Sequence, residues 1–288
     1  VLGDAEWAVR LPAAFLHTAG ATFIYFLARD MYGARVGMFA SLGYALMPAV
    51  ILSSVVISTD GVLIPFWCAA LWALWRLRSG QGAWVSALGL GVAVGLGFLS
   101  KYAMLYFAIG VVLVLFIDVQ SRRALLSWKG LAALAVAAAI FAPHLAWNAA
   151  NDFKTVSHTV DNANLGGDLI NPENALTFLV DQLGVFGPIS FLALVFGIFV
   201  MRSEDDGIMG RDRWLLCFIL PVLLIIMAQA VLSRANANWA ATAYPAASVL
   251  VASWLARAKP NRKLWYIIAA VSFVAFLLAP DVSFATRL

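Results

Sequence analysis

Between Arg213 and Arg234 the chain reads Trp214-Leu215-Leu216-Cys217-Phe218-Ile219-Leu220-Pro221-Val222-Leu223-Leu224-Ile225-Ile226-Met227-Ala228-Gln229-Ala230-Val231-Leu232, without a formal charge. A helix rising about 1.5 Å per residue needs about 20 such residues to cross a hydrocarbon core. The stretch therefore reads as a membrane span, and the rest of the chain repeats the pattern. Further apolar runs cover 12–28, 36–57, 61–76, 84–100, 102–117, 130–147, 176–200, 239–256 and 264–280. The expected fold is all-α, a polytopic transmembrane helical bundle of about ten spans. The 288 residues are 63% hydrophobic and 12% charged, against about 25% charged in a soluble domain. The mean hydropathy is +0.90.

The 19 Lys and Arg residues alternate in their distribution between loops. One set of loops holds Arg29 and Arg35, then Arg76 and Arg78, then Arg122, Arg123 and Lys129, then Arg202, Arg211 and Arg213, and finally Arg257, Lys259, Arg262 and Lys263. The other set keeps only Arg10, Lys101, Lys154, Arg234 and Arg287. Basic residues collect on cytoplasmic loops, so the first set is expected inside and the second outside. Parcelled into short loops in this way, the bases leave no stripe for nucleic acid.

No repeat, Pro-rich linker or low-complexity run divides the chain, so 1–288 reads as a single transmembrane domain with one long extracytoplasmic loop at 148–174. Val1 falls on the outer side without a signal sequence, which leads to the expectation of one further helix and outer loop upstream. Cys68 and Cys217 lie inside apolar spans and are expected to pack as small hydrophobes. His17, also within a span, is expected as a helix-packing contact. Gly91 and Gly95 form a G-x-x-x-G step, the spacing that lets helix backbones approach closely in lipid. The acidic run Glu204-Asp205-Asp206 reads as a solvated turn.

Three places on the outer side carry polar groups that spanning alone does not require. In Ser58-Thr59-Asp60 the residues either cap the next helix, for which Thr or Asp is suited, or contribute Asp60 to a site. Lys101 stands between two apolar runs, where a cation must snorkel or find an anionic partner. The long loop opens after Pro143 and His144 with Trp147 and Asn148, and continues through Asp152, Phe153, His158 and Asp161. That mixture of aromatic, amide and acidic groups suits sugar or headgroup binding, yet aromatic residues also gather at membrane interfaces. His144 reads as a hydrogen-bonded interface residue. Asp152 and His158 permit a shared metal without demanding one, and Arg234, followed by Asn236, Asn238 and Trp239, is either an anchor or part of an anion site.

Four motifs carry a family resemblance. Glu6-Trp7-Ala8-Val9-Arg10-Leu11-Pro12, Thr59-Asp60-Gly61 leading to Pro65-Phe66-Trp67, Gly95-Leu96-Gly97-Phe98-Leu99-Ser100-Lys101, and Asn238-Trp239 before Tyr244-Pro245 occur in this order. Together they resemble the bacterial members of the protein mannosyltransferase and aminoarabinose transferase superfamily, including the branch that transfers galacturonic acid to lipopolysaccharide. The resemblance implies a GT-C membrane glycosyltransferase of the bacterial inner membrane. Such an enzyme moves a sugar from a polyprenyl-phosphate donor to an acceptor, a glycolipid or a protein, on the extracytoplasmic face with anomeric inversion. It places Arg10 and Lys101, with Arg234 as a second contact, around the donor phosphate, and Asp60 as an accessory acid. Trp147, Asn148, Asp152, His158 and Asp161 become the sugar or acceptor set. A divalent cation is compatible with the family, although the spacing here reproduces no metal-site pattern. The family's general base lies in the first outer loop, and Asp4 and Glu6 stand too close to the Arg10 motif to match it.

Two other classes are weighed against this reading. A transporter or flippase would show repeated halves and broken helices around mid-membrane polar groups, whereas here the polar groups gather at one face. A non-catalytic subunit that only holds a lipid-linked sugar is separable by turnover.

Overall fold

The computed structural model describes residues 6–56, 58–163, 170–200 and 205–257. Among these, the regular elements are all helical. They are α1 (Glu6–Tyr32), α2 (Ala34–Ala45), α3 (Pro48–Val55), α4 (Thr59–Arg78), α5 (Ala83–Ser100), α6 (Leu105–Ile117), α7 (Val119–Leu125), α8 (Trp128–Ala150), α9 (Lys154–Ala163), α10 (Pro172–Phe186), α11 (Pro188–Val200), α12 (Asp206–Leu232) and α13 (Tyr244–Arg257). Short 3-10 turns at Tyr102–Met104 and Ala237–Ala243 lead into α6 and α13.

Six of the described helices are long and apolar enough to cross a membrane, and up to nine spans result if each bent pair counts as one. The expected number was about ten, and the run 264–280 lies outside the described residues. The chain is thus a multi-pass membrane protein.

Three expected segments need correction. The run 176–200 is not one span: α10 and α11 meet at 116°. Gly187 adopts φ 94 there, and Pro188 has no N–H to continue the ladder. The run 36–57 breaks at Met47-Pro48 into α2 and α3, bent by 56°. The stretch 148–174 is not a single loop, because α8 continues to Ala150 and, after a three-residue turn, Lys154–Ala163 forms α9.

The bundle is layered in the order α8, α5, α4, α1, α2 and α13, with α12 packed on α6, α10 and α13. α4 and α13 are its most enclosed helices. Small residues in α13, Ala246, Ala247, Ser248, Ala252 and Ser253, let neighbours approach from every side. α8 leaves Leu131, Leu134 and Leu145 exposed, which carries no penalty in lipid, where hydrocarbon faces hydrocarbon. The Gly91-Gly95 step joins α5 to α8: a Cβ on Gly91 would lie 2.5 Å from the Ala133 carbonyl oxygen, and one on Gly95 would lie 2.8 Å from Ile140 Cβ. Cys68 and Cys217 are buried and free. His17 is buried between Tyr44 and Ser53, 3.0 Å from the Tyr44 hydroxyl and 2.8 Å from Ser53 Oγ.

The two ends of the bundle differ in charge as the loops predict. At the base-rich end Asp212 of α12 is 4% exposed. It accepts from the Tyr32 hydroxyl at 2.7 Å, from Trp254 Nε1 at 2.8 Å and from Arg257 Nη2 at 2.6 Å. Nearby Arg78 grips Asp118 with two bonds of 2.7 and 2.9 Å. Asp205 of the acidic run caps α12 by accepting from Ile208 N. The opposite, base-poor end gathers the start of α4, the end of α5, the 3-10 turn before α13 and the junction of α10 with α12, where Asn171 N donates to Val231 O at 2.7 Å.

Candidate functional site

The site at the base-poor end is built on a helix start. Ser58, not Thr59 or Asp60, caps α4, its hydroxyl accepting from Gly61 N at 3.2 Å. That frees the Asp60 side chain, in the first turn of the helix, for other partners. Asp60 is 9% exposed. Its Oδ1 accepts from Lys101 Nζ at 2.8 Å, and its Oδ2 accepts from Asn238 Nδ2 at 2.6 Å.

Lys101 reaches Asp60 because α5 stops at Ser100 and Lys101 is extended, with φ −165. In extended backbone consecutive side chains point to opposite faces. Lys101 therefore turns to α4 while Tyr102 turns to α8. The single break between α5 and α6 thus serves two clusters.

The second cluster surrounds the Tyr102 hydroxyl. His144 Nε2 lies 2.8 Å from it and Thr155 Oγ1 lies 2.9 Å from it. Asn148 Nδ2 donates to the same hydroxyl at 3.3 Å, while Asn148 Oδ1 accepts from the backbone N–H and the hydroxyl of Thr155. Asn148 is completely buried, so its amide ties α8, the α5–α6 break and α9 together. Trp147 lies beside it, 49% exposed, its indole stacked at 16° over the His144 ring.

The remaining expected residues are placed as follows. Arg10, half-buried, lies one helical turn before Ala13, which packs at Gly61 beside Asp60; Arg10 and Asp60 therefore share one end of the bundle. Arg234 is exposed four residues before Asn238, and its carbonyl accepts from Gln229 Nε2 at 3.4 Å. Asp152 occupies the turn between α8 and α9 with φ 54. His158 and Asp161 are exposed on α9, three residues apart and so on one helical face. No described contact brings them to Asp60. Among the described residues no three His, Cys, Asp or Glu side chains converge to hold a metal. Asp60 itself has one hydrogen bond on each oxygen, from Lys101 and from Asn238.

From sequence Asn238 was read only as a neighbour of Arg234, and Tyr102 and Thr155 were not read as site residues. The signal for Asn238 was present in Asn238-Trp239, one of the four motifs. Tyr102 and Thr155 offered none, since their roles depend on neighbours 42 to 53 positions away.

Comparison with known proteins agrees with the fold. A family model described as dolichyl-phosphate-mannose-protein mannosyltransferase matches residues 1–147. Lipid A galacturonosyltransferase RgtD of Rhizobium johnstonii is 35% identical over 280 residues, covering 96% of this chain and 57% of that protein. Lipopolysaccharide core galacturonosyltransferase RgtA of the same organism is 30% identical over 136 residues, covering 45% of this chain and 26% of that protein. The crystal structure of ArnT from Cupriavidus metallidurans bound to undecaprenyl phosphate superimposes with a TM-score of 0.70 at 16% identity, over 92% of this chain and 48% of that one. Its apo form gives 0.67 at 17%. The chain spans little more than half the length of RgtD and about half that of ArnT.

A multi-pass helical bundle of this topology, with its polar cluster at one end, is a membrane protein of the GT-C fold class. Within that class, the chain belongs to the dolichyl-phosphate-mannose-protein mannosyltransferase family.

Proposed function

We propose that the protein transfers a sugar from a polyprenyl-phosphate donor to a lipid acceptor of the lipopolysaccharide type, at the base-poor end of the bundle. That end faces the periplasm and the base-rich end faces the cytoplasm, in keeping with the positive-inside rule. The membrane is the bacterial inner membrane. The observation that carries the reading is the convergence of Asp60, Lys101 and Asn238, contributed by three of the four family motifs. Sequence similarity to a lipid A galacturonosyltransferase along 96% of the chain supports the choice of acceptor.

The division of labour follows from hydrogen-bonding capacity. An ammonium group has three N–H donors. Lys101 commits one to Asp60 and retains two for the oxygens of a lipid phosphate. Arg10 adds a planar donor fork on the same side, and Arg234 is the third cation of the set. A preorganised cation lowers the barrier to departure of the phosphate leaving group, because negative charge grows there in the transition state. Asp60 acts as a positioning residue for Lys101. Deprotonation of the acceptor hydroxyl is left to the general base that the family resemblance assigns to the first outer loop. Trp147 offers a stacking face for the sugar or acceptor, with Asp152, His158 and Asp161 lining the approach. Asn148 supports that surface from below.

The test is a transfer assay on the full-length protein with radiolabelled polyprenyl-phosphate galacturonic acid and lipid A in liposomes. Label appearing in lipid A with release of polyprenyl phosphate supports the enzyme. Binding of the donor without turnover makes the protein a carrier or assembly subunit and defeats the proposal.

A further inference from the structure

The base-rich end carries a feature that sugar transfer does not use. Between the α4–α5 turn and the α7–α8 corner lies an open depression of about 470 Å³. Arg78, Arg123, Lys129, Ser79, Ser127 and Gln120 are among its lining residues, and no Asp or Glu lines it. Arg78 is neutralised by Asp118. Neither Arg123 nor Lys129 has an ion-pair partner among the described residues. The depression is therefore a site of uncompensated positive charge.

Its surroundings are apolar. Trp84 and Trp128, each next in sequence to a lining residue, are 55% and 81% exposed. Leu126 and Val119 flank the same corner at 71% and 48% exposure. The corner exists because α7 turns away from α6 by 118° at Asp118, which lays α7 across the end of the spanning helices. Exposed tryptophans at such a level mark the membrane–water interface. A ligand fitting both features has an anionic head and apolar tails.

We propose that this depression binds the phosphodiester headgroup of an anionic phospholipid, with Arg123 and Lys129 as its cationic partners and the Ser79 hydroxyl as a further donor. The acyl chains lie against Trp84, Trp128 and Leu126. The lipid is a structural ligand of the cytoplasmic leaflet, bound at the opposite end from the donor site.

Each base near a membrane surface contributes about fivefold to affinity for anionic lipid. Native mass spectrometry on the purified protein in micelles with equal phosphatidylglycerol and phosphatidylcholine reads this directly. The expected result is a retained phosphatidylglycerol molecule favoured by about 25-fold for the two free bases, falling to near parity in the Arg123→Gln/Lys129→Gln variant. Millimolar inorganic phosphate leaves the lipid in place, because the tails also contribute. Equal retention of the two lipids, an unchanged preference in the variant, or displacement by inorganic phosphate each overturns the proposal. Should the double variant not fold, thermal unfolding of the wild-type protein decides: a rise with phosphatidylglycerol but not phosphatidylcholine supports the site, and an equal rise refutes it.

Discussion

Lys101 and Asn238 address opposite oxygens of one carboxylate: the ammonium donates to Asp60 Oδ1 and the amide to Asp60 Oδ2. One acid thus fixes both the end of α5 and the turn that precedes α13. Partners 41 and 178 residues away in sequence meet only in the folded bundle.

Replacing Asp60 with Asn keeps the side-chain shape and removes the charge that holds Lys101. Transfer from a polyprenyl-phosphate donor is expected to fall about 100-fold, as does loss of a preorganised electrostatic group elsewhere, and Lys101→Met is expected to fall at least as far. Asn238→Ala is expected to cost about tenfold. The double variant Asp60→Asn/Asn238→Ala should lose less than the product of the two, because contacting residues are not additive. Initial rates with labelled donor give all four numbers.

Gly91 and Gly89 provide a matched pair. A side chain at Gly91 meets the Ala133 carbonyl and Val136, whereas one at Gly89 meets nothing within 4 Å. Gly91→Leu should destabilise the α5–α8 contact by about 1–3 kcal/mol, as overpacking does. Gly89→Leu should fall within about 0.5 kcal/mol of the parent. Chemical unfolding in mixed micelles measures the difference.

Asn148→Ala removes a buried amide that serves Tyr102 and Thr155. Leaving those groups unsatisfied costs about 1–3 kcal/mol, and the loss is local to the junction of α8 and α9. Tryptic cleavage after Lys154, at the start of α9, is expected to accelerate severalfold while the spanning helices stay intact. Unchanged cleavage would place the constraint on α9 elsewhere.

Asp118 lies beyond the end of α6, at the base-rich surface. Burial alone would raise its pKa, but hydrogen bonds from Arg78 and Ser121 more than offset that and hold the carboxyl below its ordinary value. The unfolded chain therefore takes up this proton first. Stabilisation by the Arg78–Asp118 pair is complete above about pH 4, the ordinary carboxylate value, and is lost as pH falls through the lowered one. Unfolding temperatures of the parent and Asp118→Asn should differ by a constant amount from neutral pH to about 5 and converge toward pH 3.

The apolar runs and the alternation of bases were sufficient for the helical bundle, because lipid admits few other ways to satisfy a backbone. Gly91 and Gly95 were legible as a packing step for the same reason. The bend at Gly187-Pro188 was visible as a dipeptide that punctuates helices, yet the surrounding hydrophobicity outweighed it in the reading of 176–200. α9 was hidden by its polarity: Val156 and Val160 are one helical turn apart, but Ser157, His158 and Thr159 between them made the stretch look like loop. The site was half legible. Asp60 and Lys101 stood out as polar groups in apolar company, whereas their mutual bond, the second bond to Asn238 and the internal role of Asn148 depend on tertiary contacts that no local pattern encodes.

The clasp on Asp212 has a mechanical meaning. Tyr32, Trp254 and Arg257 bind α1 and α13 to α12 at one point. From there α12 runs on to Leu232, about 30 Å at the standard rise per residue. Over that length a tilt of about 5° about the clasp corresponds to about 2.5 Å at the far tip. The tip is where Asn171 and Asn174 hold on to Val231 and Ser233. Because Asn171 and Asn174 stand at the start of α10, any displacement of that tip is shared with α10.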